Sequence, residues 1–219
     1  MKTKAISTNI NFMVLSLITL LVMSSCIGDK KPINTDDIGD TSFINKFFKG
    51  NNINYVKGMS ACDNVSASAI AGLYNVGADF IVIEDPTKSD RYKDPEPACM
   101  FFIKSGASDF EWLRGSIAVN REIDKDEVMG DVAEAVGAGK NWEEAWSLKK
   151  SISKSAEWIP NMGKAALWNA RKKTLEIKFD GYNLLINPPK NILNKEETAK
   201  NRDYKEIAIE MAKSCGFIN

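Results

Sequence analysis

Histidine is absent from the 219-residue chain. That removes the imidazole general base, the Ser–His and Cys–His nucleophile pairs and His-ligated zinc. Catalysis would have to use carboxylates, lysine, tyrosine or a metal held without imidazole. Excess charge is missing too: Lys and Arg total 29, Asp and Glu total 29. With no basic stripe either, the chain carries no nucleic-acid footprint. Cysteine is scarce, four residues with no C-x-x-C spacing, which argues against a thiolate-held zinc. The apolar run over residues 12–23 is too short for a membrane-spanning helix and is interrupted by Ser16 and Thr19. What remains, 44% hydrophobic and 26% charged, is the balance of an ordinary globular protein.

The first residues read as an address. Lys2 and Lys4 give a positive start, the apolar run follows, and Ser24, Ser25 and Cys26 close it. This is the layout of a secretory signal peptide over residues 1–25. Its ending resembles a bacterial lipobox, with a branched residue at Val22 and small residues before Cys26. The resemblance implies cleavage before Cys26, diacylglycerol on its thiol and a fatty acyl group such as palmitate on its new amine. It implies a lipoprotein of the bacterial cell envelope, membrane-anchored and facing the periplasm or the cell surface. The plainer alternative is a signal peptide with a chance cysteine. Cleavage there removes two basic residues and no acidic one, leaving a net charge of −2 on 194 residues. That length suffices for one large domain with a sizeable core.

Residues 26–50 read as a lipidated flexible tether. Gly28, Asp29, Lys30, Lys31, Pro32 and Asn34 begin a stretch too polar to offset the entropy of ordering. Phe43, Ile44, Phe47 and Phe48 break it. They can dock on the body or lie on a bilayer, and docking is favoured because few basic residues flank them.

Residues 51–219 form a single globular domain, with a division into halves 51–139 and 140–219 as an option. Asp63 or Asn64 can cap a helix over 65–75 that stops at Gly77. Strands are expected at 78–84, 99–104 and 110–120. Asp124 and Glu127 make a capping-box pattern before Val128, Val132 and Val136. Asn141 and Glu144 repeat it before a helix over 142–153, with Trp142, Ala145 and Trp146 on its apolar stripe and Ile152 as a further candidate for it. Short strands follow at 156–159 and 165–169. Asp180-Gly181 separates strands 174–179 and 182–187 as a type I′ hairpin, with Pro188 and Pro189 ending the edge. A helix over 196–214 carries Tyr204, Ile207, Ala208, Met211, Ala212 and Cys215 on one face, with Gly216 as its cap. The fold class is α+β, an antiparallel sheet with helices packed on one side and a degenerate strand-strand-strand-helix repeat in view.

Candidate chemistry is thin. Gly137-Ala138-Gly139-Lys140 echoes a phosphate loop but lacks its first glycine and its Ser or Thr, and reads as a linker. Asp85, Asp90, Asp94 and Glu96 crowd one loop, yet their spacing is no EF-hand, and Lys88, Arg91 and Lys93 dilute the charge. Carboxylates for hydrolysis could come from that loop or from Glu143 and Glu144, but nothing selects a pair. No catalytic residue, metal or cofactor is assigned. Trp142, Trp146, Trp158 and Trp168 are the ligand-binding candidates. Exposed together they would stack on sugars or grip a partner; buried, they pack a helix on a sheet. Cys62, Cys99 and Cys215 are an odd number for an oxidising compartment. Cys62–Cys99 is the expected disulfide, and pairing of Cys215 with either stays open.

Residues 157–186, EWIPNMGKAALWNARKKTLEIKFDGYNLLI, resemble a pattern in uncharacterised α+β lipoproteins of the bacterial envelope. Cys62 before a helix and Cys99 in a strand look similar to that group as well. The resemblance implies no catalytic residues. The expected role is non-catalytic binding or scaffolding at the membrane through the lipid anchor, with an envelope protein as partner and no nucleic acid. Glycan or small-ligand binding through the tryptophans, or a carboxylate-based hydrolase, are the alternatives.

Overall fold

The computed structural model describes residues 40–56, 58–88, 96–121 and 141–218. Cys26, the helix expected near Val128–Val136, the 137–140 linker, Asp90 and Asp94 lie outside the described residues.

Alternating sequence builds the centre. β1 (Ile81–Glu84), β2 (Ala98–Ile103) and β3 (Leu113–Arg121) form one antiparallel meander. β4 (Ala156–Trp158), β5 (Ala165–Asn169), β6 (Thr174–Lys178) and β7 (Tyr182–Lys190) form a second. The two join where β3 pairs with β7, Ile117 opposite Ile186, giving one seven-stranded sheet in the order β1-β2-β3-β7-β6-β5-β4. Every second residue faces the main core: Phe101, Ile103, Ile117, Val119, Leu175, Ile177, Leu184 and Ile186 are buried there. Helices α1 (Ala67–Tyr74) and α4 (Tyr204–Ser214) close that face with Ile70, Tyr74, Ala208 and Met211. The class is α+β. Helix α2 (Trp142–Ile152) lies against the other face, where Trp146 meets Ala165 and Leu167. Among the described residues no helix is long and apolar enough to cross a membrane.

The Cys62 and Cys99 sulfurs are 2.09 Å apart, a disulfide tying the turn before α1 to β2. Cys215 is a buried free thiol. Burial pushes it up to about 11, against a hydrogen bond from Ser214, so it stays protonated at neutral pH.

Several elements differ from the sequence reading. Ser66, not Asp63 or Asn64, caps α1 by accepting from Ala69 N–H, and Asn75, at φ 54°, ends it ahead of Gly77. The strand expected from residue 78 begins at Ile81, because Ala78–Phe80 is a 3₁₀ turn. Ala145 and Ile152 are exposed rather than on the buried stripe of α2. At Asp180-Gly181 only Gly181 has a positive φ, 78°, so the turn is not type I′, which needs two. Pro188 and Pro189 do not end the strand. They sit in β7 opposite a register shift at Gly115, beyond the last pairing with β6, where their missing N–H groups cost no ladder bond. Gly115 is required there: a Cβ would lie 2.1 Å from the Phe101 ring. The long C-terminal helix is two, α3 (Lys195–Ala199) and α4, separated by Asn201 at φ 47° and restarted by Asp203, which accepts from Lys205 and Glu206 N–H. The stripe from Ile207 to Cys215 is buried as its period requires.

The expected tether is shorter on its described side, because residues 40–50 pack on the domain. Asn45 N–H donates to Lys164 O at 2.8 Å, and its side-chain amide donates to Gly163 O at 2.9 Å. Phe48 joins the main core, while Phe47 is 82% exposed.

Candidate functional site

The structure gathers three of the four candidate tryptophans. Trp142 and Trp146 stand on α2, and Trp158 ends β4 beneath them. Trp146 and Trp158 lie 6.4 Å apart and nearly parallel. Trp168 is not part of this group. It is one residue past Leu167 in β5, so the pleat turns it into the main core. The slot between Trp142 and Trp158 is filled by Phe43, stacked on one and edge-on to the other. Lys164 and Lys178 each place an ammonium 5.6 Å from the centre of the Trp142 ring. The cluster therefore works as a clamp that fastens residues 40–48 to the sheet.

The carboxylates are committed to structure. Asp85 accepts from Ser60 Oγ and Thr87 Oγ1 at 2.5 Å each and from Thr87 N–H at 2.9 Å. Burial works to raise its pKa, but those hydrogen bonds and the Lys88 charge outweigh it and hold the group below the usual carboxylate range. Glu143 and Glu144 occupy the first turn of α2, where negative charge complements the helix dipole. Among the described residues no group of three acidic or cysteine side chains is placed to hold a metal.

The sequence reading missed Glu197. This buried carboxylate of α3 accepts from Arg202 Nε at 2.8 Å and is paired with Lys200. Burial alone would lift its pKa; the Arg202 and Lys200 contacts outweigh that and lower it. Arg202 lies over the Tyr74 ring at 4.8 Å, and Tyr74 Oη donates to Pro189 O at 2.6 Å. Burial raises the Tyr74 hydroxyl pKa, so it remains a donor. A cavity of about 270 Å³ opens beside this network, lined by Phe80, Lys104, Asn194 and Glu197 among others. The break at residues 200–203 is what returns Arg202 to Glu197, and a single uninterrupted helix hid it.

Next to that cavity two loops meet at the end of the sheet. The Asn191 side-chain amide donates to Phe110 O and to Trp112 O, and its oxygen accepts from Leu193 N–H. Asn194 donates to Glu111 O and Ser105 Oγ. Glu111 in turn accepts from Ala107 and Ser108 N–H, closing a capping box. The result is a pinned tip from which Phe110, Ile192 and Leu193 project, 75%, 86% and 62% exposed. Three large apolar groups held outward on a braced support form a contact surface. A Phe and an Ile-Leu pair in separate loops, more than 80 residues apart in sequence, gave no local pattern to find it by.

No family model, curated protein or solved structure matches this chain.

Proposed function

We propose that the protein is a lipid-anchored contact protein of the bacterial envelope, fastened through Cys26, whose body binds rather than turns over a substrate. The observation that carries this reading is the braced tip of Phe110, Ile192 and Leu193. Exposed apolar area of this kind favours association by removing itself from water, and bracing reduces the ordering cost on binding. The alternatives find less support. The aromatic slot that would stack a sugar holds Phe43, and the Glu197 carboxylate beside the cavity is neutralised by two cations. The signal-peptide layout and the lipobox resemblance support export and acylation, with the body facing the periplasm or the cell surface.

Metabolic labelling with a fatty acid tests the anchor. Label is expected on the wild type and lost in Cys26→Ala; equal labelling of both rejects it. Substrate turnover that disappears on changing one carboxylate would reject the binding reading.

A further inference from the structure

The tip is not isolated. The same end of the sheet carries the β5–β6 turn and the C-terminal end of α2, which bring Lys154, Arg171, Lys172 and Lys173 together. Lys190 closes the group: its Nζ donates to Lys172 O at 2.5 Å and Lys173 O at 3.2 Å. Among the described residues none of these five has a carboxylate ion-pair partner. The β5–β6 side of this end therefore presents a run of described cations, while Asp109 and Glu111 flank Phe110 on the tip side. The Lys190 pKa is lowered, first by burial and then by the Lys173 charge, as expected where cations crowd. Exposed apolar tips beside a basic cluster match a bilayer surface, with apolar groups entering the interface and cations meeting anionic headgroups.

Chain length allows the same bilayer that holds the anchor to be reached. Residues 40–54 enter at the opposite end of the sheet, where Asn45 meets Lys164 and Asn51 meets Asp180. β3 and β7 have nine residues each, and a strand of that length spans roughly 30 Å. Asp40 lies fourteen positions after Cys26, and a chain of that length can extend to roughly 46–50 Å. The tether is long enough to let the body turn its far end to the membrane.

We infer that the end of the sheet bearing Phe110, Ile192 and Leu193 is a membrane-docking surface that inserts these side chains among anionic lipids, with Arg171, Lys172 and Lys173 on the headgroups. This rests on the anchored reading above and adds a second, peptide-borne contact to it.

The test places an environment-sensitive NBD fluorophore at Ile192→Cys in the full, purified chain, with Phe47→Cys as the control at the tether end. Cys62 and Cys99 are bonded and Cys215 is buried, and peptide mass spectrometry establishes both the labelled site and the acyl state of Cys26. Vesicles of phosphatidylcholine alone, or with roughly a third phosphatidylglycerol, are then compared. The expected result is a blue shift and an emission rise of about threefold at position 192 in the anionic vesicles. It is quenched by spin-labelled lipid, smaller in the neutral vesicles, and absent at position 47. Arg171→Glu with Lys172→Glu, both exposed, should remove the preference for anionic lipid. Silence at position 192 in an acylated, vesicle-bound chain overturns the docking surface and leaves the anchor standing. An unacylated Cys26 with the response at 192 intact removes the anchor and leaves the surface. Equal responses in both vesicles, or a response that grows with protein concentration without vesicles, overturn the proposal, the latter in favour of a second copy of the chain.

Discussion

Phe43 lies face to face with Trp158, ring centroids 4.0 Å apart and planes within 5° of parallel. It is the pin by which the segment that leads toward the expected anchor is held on the sheet. Phe43→Ala should vacate the slot, wet Trp142 and Trp158, and cost about 2 kcal/mol, given partial burial plus a direct ring–ring term. In a domain of this size that lowers Tm by roughly 4–8 °C. A thermal melt followed by tryptophan emission reads both effects, with a red shift expected in the native baseline. An unchanged emission maximum would show that the slot does not shield the two indoles.

Glu197 supports the turn between α3 and α4 only while ionised. Its folded-state pKa is lowered from an unfolded value of 4.5. The stabilisation it supplies is therefore complete above that value and is lost as pH falls through the lower folded-state pKa. Glu197→Gln should cost about 2 kcal/mol near neutral pH, chiefly by unpairing the mostly buried Arg202. The difference between variant and wild type should shrink steadily below about pH 4.5. Urea denaturation at a series of pH values measures it; a gap that widens on acidification would contradict the sign.

Gly115 is where two strands and a ring converge. An added methyl would meet the Phe101 ring at 2.1 Å and Asn187 O at 2.8 Å. Neither neighbour is free to give way, since one is buried in the core and the other is backbone in β7. Gly115→Ala should destabilise by about 3 kcal/mol through overpacking. The shift of the urea midpoint tests this, and a variant as stable as wild type would show that the seam can open to admit the methyl.

The Cys62–Cys99 bond spans a sequence separation of 37. In the chain-entropy account its removal costs about 3–4 kcal/mol. Comparing wild type with a Cys62→Ala, Cys99→Ala form in denaturant reads the loss. Cys215, buried and with its pKa raised to about 11, should resist alkylation in the native protein at pH 8 and react once unfolded. Rapid native labelling of Cys215 would show that α4 opens locally.

Period was legible in the sequence; parity and interruption were not. The stripe from Ile207 to Cys215 repeats cleanly because one face of α4 meets the core and the other meets water. In β5, Ala165, Ala166, Leu167 and Trp168 are all apolar and all buried, since helix α2 covers one face and the core lies on the other. Nothing in such a run says which residues share a face, and so Trp168 read as a companion of Trp142. The break at residues 200–203 depends on Arg202 finding Glu197 and Tyr74, a tertiary gain that no local propensity records. The tip at Phe110 and Ile192 depends on two asparagines that reach across from another loop.

The seam between β3 and β7 also bears on how the protein is made. Each meander is local and can assemble early, but the pairing of Ile117 with Ile186 must wait for a distant part of the chain. Until then each half presents a bare strand able to recruit a neighbouring molecule. That hazard grows with concentration, which puts a premium on rapid zipping of this one pair of strands.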